Sequence, residues 1–167
     1  MEIPERFTWM GTLMNIRPDD NVLEIGCGVG LGAAVLCLNL GKGKLIALDK
    51  STAMLEKARQ RNIIAVQSGK CKFVHTDFLS FDPKGARFDK VLCFNINFFW
   101  TKRASQEVKK IKSLLKKQGV LYIAYGPLMQ DFKKLETSIE DSVCNEGMTI
   151  INTALNEELN CCCFMCR

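Results

Sequence analysis

The alternation of short apolar runs with longer helical segments most constrains what this chain can fold into. Five β-rich runs occur before the last quarter of the sequence, at residues 22–25, 44–48, 72–75, 90–94 and 120–125. The segments between them are long enough to cross over as helices or loops, so these strands are expected to run parallel and to be covered on both faces. Residues 148–155 and 161–166 flank a polar turn and predict an antiparallel hairpin. The expected fold is therefore α/β, a three-layer sandwich on a seven-stranded, mostly parallel sheet that ends in an antiparallel hairpin.

The length and the helical periodicity predict one domain over residues 1–167. Apolar residues at helical spacing predict an N-terminal helix within residues 1–16, which we expect to lie over the ligand pocket. Ser51 is placed to cap a helix that runs to about Arg61. A further helix with six lysines is predicted over residues 102–117. Its basic face is expected to be solvated, with an acidic partner or nucleic acid as the alternative.

Composition excludes several classes of protein. A quarter of the residues are charged, the net charge is only +5, and no apolar run approaches the roughly 20 residues of a membrane span. The N-terminus lacks the basic-then-apolar layout of a secretory signal, so we expect a cytoplasmic location. Nine cysteines are an odd number for a disulfide framework. Within the tail, Cys161, Cys162, Cys163 and Cys166 include a C-x-x-C, but neighbours in a strand face opposite ways, so packing is expected and no metal site.

The stretch NVLEIGCGVGLG contains a glycine loop directly after the first strand. Such a loop lets a ligand lie against backbone at the carboxyl edge of the sheet, and a dinucleotide or a charged sulfonium cofactor could both use it. Glu24 lies two residues before the loop, where its charge would oppose a pyrophosphate and favour a cation. Asp49 and Asp77 follow the second and third strands, where they can bind a ribose and a base. The ligand predicted by these residues is a nucleoside with a cationic arm.

The ordered segments LEIGCGVG, LIALDKS, FVHTDFLSF, FDKVLCFNINFF and GVLYIAYGP resemble those of the class I S-adenosylmethionine-dependent methyltransferases, which have a Rossmann-like fold. The resemblance implies that Glu24 and the glycine loop hold the methionine part of S-adenosyl-L-methionine, that Asp49 binds the ribose, and that Asp77 borders the adenine. Lys50 departs from the family, which commonly has an apolar residue against adenine, although its methylene stem could serve. The cofactor-binding residues implied are Glu24, Gly26, Cys27, Gly28, Gly30, Asp49, Lys50, Met54, Asp77, Phe78 and Asn95.

The loop NINFFW, after the fourth strand, faces the methyl acceptor in this fold. Asn95 and Phe98 match the ends of the Asn-Pro-Pro-aromatic motif of base N-methyltransferases, but both prolines are replaced. Methyl transfer needs no universal catalytic residue, and none is assigned; the only histidine, His75, is expected to pack or cap. The predicted function is methylation of a small molecule, with S-adenosyl-L-homocysteine as product. Methylation of RNA or DNA bases, or cofactor binding without turnover, are the alternatives. The acceptor-pocket candidates are Asn95, Phe98, Trp100 and Trp9.

Overall fold

A computed structural model describes residues 2–101, 104–127 and 132–167, the side chains of residues 100 and 101 excepted. Its strands are β1 (Asn21–Ile25), β2 (Lys44–Asp49), β3 (Cys71–His75), β4 (Phe88–Phe94), β5 (Leu115–Tyr125), β6 (Ile150–Asn156) and β7 (Cys161–Cys166). The helices are α1 (Glu5–Met14), α2 (Leu31–Asn39), α3 (Thr52–Arg61), α4 (Ile63–Gln67), α5 (Phe98–Thr101), α6 (Ser105–Leu114) and α7 (Phe132–Cys144). None of the described helices is long and apolar enough to cross a membrane.

All seven strands form one sheet in the order β3-β2-β1-β4-β5-β7-β6. The first five strands along the chain pair in parallel, whereas β7 is antiparallel to both β5 and β6. The predicted fold class and C-terminal hairpin are confirmed. The strand order reverses beside β1, whose neighbours are β2 and β4, and such a reversal opens a crevice at the carboxyl edge of the sheet.

Two apolar cores cover the two faces of the sheet. Met10 and Met14 of α1, together with buried residues of α2 and α3, pack on one face. Val108 and Ile111 of α6, together with α5 and α7, pack on the other. Because β1, β4 and β5 lie between two helical layers, β4 and β5 are buried and apolar over residues 91–94 and 121–125, and β1 is buried over residues 22–25. The three-layer arrangement is the one expected.

The basic helix is shorter than predicted. It ends at Leu114, and the strand expected at residues 120–125 begins at Leu115, which pairs with Phe88 across a register shift. The helical spacing of apolar residues continued by one position into this strand, which is why periodicity alone placed the boundary too late. Lys102, the predicted start, lies outside the described residues. Lys112 donates to the Glu146 and Gly147 carbonyl oxygens at 2.8 Å, and Lys116 pairs with Asp89 at 2.7 Å, so part of the basic face serves the fold.

The four cysteines of the tail are buried in β7, as expected from packing. Cys162 and Cys166 face the core beneath α6 and α7, while Cys163 faces the opposite core. Burial raises the pKa of the Cys162 thiol to about 12 and that of Cys166 to about 12. These thiols therefore behave as small apolar side chains.

Candidate active site

A cavity of about 400 Å³ opens at the carboxyl edge of the sheet, where the strand order reverses. Residues from the ends of the first four strands and from the loops that follow them form its wall. Open α/β sheets bind ligands at this position. The lining residues are Ile25, Gly26, Leu48, Asp49, Lys50, Thr76, Asp77, Phe78, Asn95, Ile96, Asn97 and Phe98.

The glycine loop turns sharply between β1 and α2. Gly26, Gly28 and Gly30 have φ angles of 70°, 52° and 76°, a region that costs other residues roughly 1–2 kcal/mol. The Cys27 amide donates to the Leu48 carbonyl oxygen at 2.9 Å, and the Asn62 side chain donates to the Gly30 carbonyl oxygen at 3.0 Å. The loop is thus tied to β2 and to the end of α3, and it presents Gly26 to the cavity.

The Asp49 carboxylate is held in place at the end of β2. Its Oδ2 accepts from the Gly28 amide at 2.8 Å, and its Oδ1 accepts from the Ser51 amide at 2.9 Å. An ionised carboxylate can accept about four hydrogen bonds, so each oxygen keeps one lone pair for a ligand. Ser51 also caps α3, because its hydroxyl accepts from the Met54 amide at 3.3 Å, which confirms the predicted cap.

The far wall of the cavity is the crossover loop after β3, residues 76–81. Asp77 Oδ1 accepts from the Leu79 amide at 2.9 Å, which fixes the turn, and the buried Phe78 lines the cavity next to it. Lys110 of α6 donates to the Leu79 and Phe81 carbonyl oxygens, both at 2.6 Å, and its ammonium lies 5.4 Å from the Phe78 ring centre. A lysine of the basic helix therefore anchors this wall.

Glu24 is buried beneath the glycine loop and does not line the cavity. Its Oε1 would lie 2.1 Å from a Cβ added at Gly32, and its Oε2 has no hydrogen-bond partner. Desolvation, with smaller contributions from Cys37 and Asp49, raises the Glu24 pKa to about 8 despite a hydrogen bond from the Ala33 amide. Burial therefore favours the neutral form of this carboxyl group, and the predicted effect of its charge on a pyrophosphate stays a prediction.

Asn95 holds two loops together at the acceptor side of the cavity. Its side-chain amide donates to the Gly126 carbonyl oxygen at 2.8 Å, and its Oδ1 accepts from the Gly126 amide at 2.9 Å. The next residue, Ile96, covers Gly26, since its Cδ1 would lie 2.3 Å from a Cβ there. The buried Tyr125 hydroxyl donates to the Ile96 carbonyl oxygen, which fixes the loop from below.

The cavity brings together some of the residues predicted from the sequence and leaves others outside its wall. Those that line it are Gly26, Asp49, Lys50, Asp77, Phe78, Asn95 and Phe98. Those outside the lining are Glu24, Cys27, Gly28, Gly30, Met54 and Trp9. Sequence reasoning did not single out Ile25, Leu48, Thr76, Ile96 and Asn97, although each of them directly neighbours a predicted residue in the chain.

Trp9 and His75 have surroundings other than the cavity. Trp9 is half-buried and packs against the core beneath α1 and α2, and α1 contributes none of the described lining residues. The side chain of Trp100 lies outside the described part of the chain. His75 Nε2 lies 2.9 Å from the Lys50 carbonyl oxygen, a capping contact at the end of β3. In the described residues, no three His, Cys, Asp or Glu side chains are grouped to hold a metal ion.

This sheet order, the antiparallel β7 and the crevice beside β1 define the Rossmann-like fold of class I methyltransferases. Residues 22–119 match the family described as methyltransferase domain, a span that includes the glycine loop, Asp49, Asp77 and Asn95. The chain belongs to this family, the class I S-adenosylmethionine-dependent methyltransferases.

Individual relatives have low sequence identity to the chain. The chain is 32% identical over 113 residues to a trans-aconitate 2-methyltransferase of Enterobacter sp. (strain 638), an alignment covering 66% of the chain and 42% of the relative. It is 30% identical over 84 residues to a tRNA1(Val) (adenine(37)-N6)-methyltransferase of Vibrio campbellii, covering 50% of the chain and 35% of the relative. The chain thus spans less than half the length of both relatives. Its structure superposes on magnesium protoporphyrin IX methyltransferase from Synechocystis PCC 6803, solved with S-adenosylmethionine bound, with a TM-score of 0.71 at 20% identity, covering 97% of this chain and 76% of that one.

Proposed function

We propose that this protein binds S-adenosyl-L-methionine in the cavity and transfers its methyl group to a small molecule. The observation that carries the proposal is the joint presence of Gly26, Asp49 and Asp77 around one cavity at the strand reversal. The three residues follow three strands whose carboxyl ends meet at this edge of the sheet, and all three line the cavity there. When bound, the cofactor supplies the reactive methyl carbon, so the chain has to bind, align and exclude water.

In this proposal Asp49 binds the ribose. Both of its oxygens are already fixed by backbone amides, and each retains one acceptor position toward the cavity. A carboxylate held in this way can accept from two neighbouring hydroxyl groups without losing further side-chain entropy. The Asp49 geometry therefore matches a vicinal diol better than it matches a single hydroxyl.

The adenine is proposed to lie between the crossover loop and Lys50. Asp77 has one oxygen committed to the Leu79 amide and the other left to accept from the exocyclic amine. Phe78 offers an apolar wall, and the exposed Lys50 can lay its methylene stem against the ring from the opposite side. Met54, 40% exposed on α3, would border the same base.

The methionine end is proposed to lie over the glycine loop, against Gly26, with its ammonium near the Asn95 backbone. Cys27, Gly28 and Gly30 would act through the shape of the loop, since none of them reaches the cavity wall. Glu24 would act from beneath the loop. Ile96 packs against Gly26, so its side chain would border the methionine end of the cofactor.

A small acceptor is favoured over a nucleic-acid base by the state of Asn95. In base N-methylation the corresponding amide oxygen accepts from the amine, but here that oxygen already accepts from the Gly126 amide. The 30% identity to a tRNA adenine methyltransferase keeps base methylation as a second candidate. Lys110, Lys112 and Lys116 are engaged within the fold, which weakens the basic helix as a nucleic-acid surface.

Trans-aconitate is the first acceptor to test, since a trans-aconitate methyltransferase is among the relatives. We place the protein in the cytoplasm, a compartment that keeps thiols reduced, because all nine cysteines are free in the structure.

The cofactor assignment is tested by titration calorimetry with S-adenosylhomocysteine and with NAD. We expect S-adenosylhomocysteine to bind wild type, and Asp49→Ala to weaken it by at least about tenfold, since two hydrogen bonds to a charged group are lost. Asp19→Ala, which removes an exposed aspartate before β1, is the matched control. Tight binding of NAD, or unchanged affinity in Asp49→Ala, would contradict the assignment.

Turnover is tested separately with radiolabelled S-adenosylmethionine and a panel of carboxylic acids, amines, thiols and RNA. Label transfer to a small molecule supports the proposed enzyme, and transfer to RNA supports the second candidate. Cofactor binding without transfer to any acceptor would indicate a binding protein.

A further inference from the structure

Arg6 is the second residue of α1, and its guanidinium is half-buried without an acidic partner. The Nε atom is shielded from solvent and has no hydrogen-bond partner. Arg6 takes part in neither of the ion pairs Lys90–Asp20 and Lys116–Asp89. Its guanidinium makes a cation–π contact with the neighbouring Phe7 ring, whose centre lies 5.2 Å from Cζ. A sequestered arginine donor without an acceptor is unfavourable in the unliganded fold and is satisfied when an anion binds.

Arg6 lies near the carboxyl edge of the sheet, beside the last residues of β4 and β5. The Phe7 ring packs 4.7 Å from the ring centre of Phe94, which ends β4 immediately before Asn95. Arg6 also lies within electrostatic range of Cys161, because its charge lowers the pKa of that thiol, although burial raises that pKa by more. Cys161 begins β7 and packs directly on Gly126.

Gly126 links this region to the cavity. Its amide and carbonyl oxygen both bond to the Asn95 side chain, and Asn95 lines the cavity. Gly126 therefore lies between Arg6 and the Asn95 wall of the cavity, where the methionine end of the proposed cofactor would lie. The adenosine half of the cofactor would extend the other way, toward Asp49 and Asp77. The acceptor would approach from the side that the cofactor leaves open, which in the proposed arrangement is the side of Asn95 and Gly126.

We propose that Arg6 binds a carboxylate of the methyl acceptor, so that the acceptor is a small carboxylic acid. The inference rests on the proposed function. A guanidinium presents its donors in a planar fork that matches a carboxylate in two parallel hydrogen bonds. The phenyl rings of Phe7 and Phe94 give the site an apolar floor, which strengthens a charge-assisted bond by excluding water.

The test is calorimetry on the full chain saturated with S-adenosylhomocysteine. The probes are malonate, trans-aconitate, the neutral trimethyl ester of trans-aconitate, and inorganic phosphate. We expect at least one carboxylate to bind wild type, and the ester and phosphate to bind at least about tenfold more weakly. Arg6→Gln should weaken the carboxylate by about tenfold or more, and Arg6→Lys by less, since lysine keeps the charge without the fork.

Arg17→Gln is the matched control, because Arg17 is an exposed arginine that lines a separate cavity at the opposite edge of the sheet. It should leave carboxylate binding unchanged, and none of the three variants should change S-adenosylhomocysteine affinity. Equal binding of acid and ester, preference for phosphate, no carboxylate binding, or unchanged binding in Arg6→Gln would overturn the role of Arg6. If Arg6→Gln fails to fold, the role of Arg6 is tested by comparing the binding of trans-aconitate and its trimethyl ester to wild type and to Arg6→Lys. If the wild-type protein does not bind S-adenosylhomocysteine, the proposed function is overturned instead.

Discussion

The buried Glu24 carboxyl makes the stability of the unliganded protein depend on pH. Its pKa is about 8 in the folded chain against an ordinary value of 4.5, with desolvation as the largest cause. A group whose folded pKa is raised contributes stability that is fully present below its unfolded pKa and is lost as the pH rises through its folded pKa. The window is therefore between about pH 4.5 and 8. One pKa unit corresponds to about 1.4 kcal/mol, so the full change is about 5 kcal/mol as an upper bound.

The variant Glu24→Gln isolates this contribution, because glutamine has nearly the same shape and no charge to desolvate. Urea unfolding of wild type and variant should be followed by circular dichroism from pH 5 to 9. We expect the free energy of unfolding of Glu24→Gln to rise relative to wild type by about 3 kcal/mol or more across this range. Glu56→Gln, which removes an exposed carboxylate from α3, controls for the general effect of charge. Parallel pH profiles of wild type and Glu24→Gln would refute the reasoning.

Three further predictions concern the cavity wall, the glycine loop and the thiols. Lys110→Met should release the crossover loop and so weaken S-adenosylhomocysteine binding, measured by calorimetry, by about three- to tenfold. The control Lys112→Met loses two carbonyl contacts elsewhere and should leave this binding unchanged. Gly32→Ala should lower the free energy of unfolding in urea by about 2 kcal/mol or more, because its Cβ would lie 2.1 Å from Glu24 Oε1. With Ellman's reagent, Cys144 should react first and alone in the native state, since the other eight thiols are buried; several fast thiols would contradict the packing of β7.

The parallel part of the fold was predictable because each central strand is buried on both faces and reads as an apolar run. Residues 22–25 and 90–94 were placed within two residues of β1 and β4 at each end. The start of β5 was not predicted correctly, because Leu115 continues the helical spacing of Val108 and Ile111 although it belongs to the sheet. Only its pairing with Phe88, 27 positions earlier, distinguishes the two states. Local pattern carries no information about such a partner.

The cofactor half of the candidate site was predictable to the level of residue type and strand end. Asp49 and Asp77 follow strands, and parallel strands bring their carboxyl ends to one edge, so their convergence follows from topology. The burial of Glu24 does not follow from topology. It depends on the absence of a side chain at Gly32, where the carboxyl lies against α2, and on the small residues around it. The sequence therefore did not reveal the surroundings that raise the pKa of the Glu24 carboxyl.

The acceptor half could not be read from the sequence, since its parts come from segments with no common periodicity. Arg6 precedes the first strand, Asn95 follows the fourth, and Cys161 begins the seventh, and Gly126 contacts both Asn95 and Cys161. Asn95 invited comparison with a base-methylating motif because of its neighbours in the chain, whereas its hydrogen bonds to Gly126 commit it to the fold. These bonds use one donor and one acceptor position of the Asn95 amide and fix its orientation toward Gly126. Arg6, which has no such bonds, is therefore the stronger candidate for setting acceptor specificity.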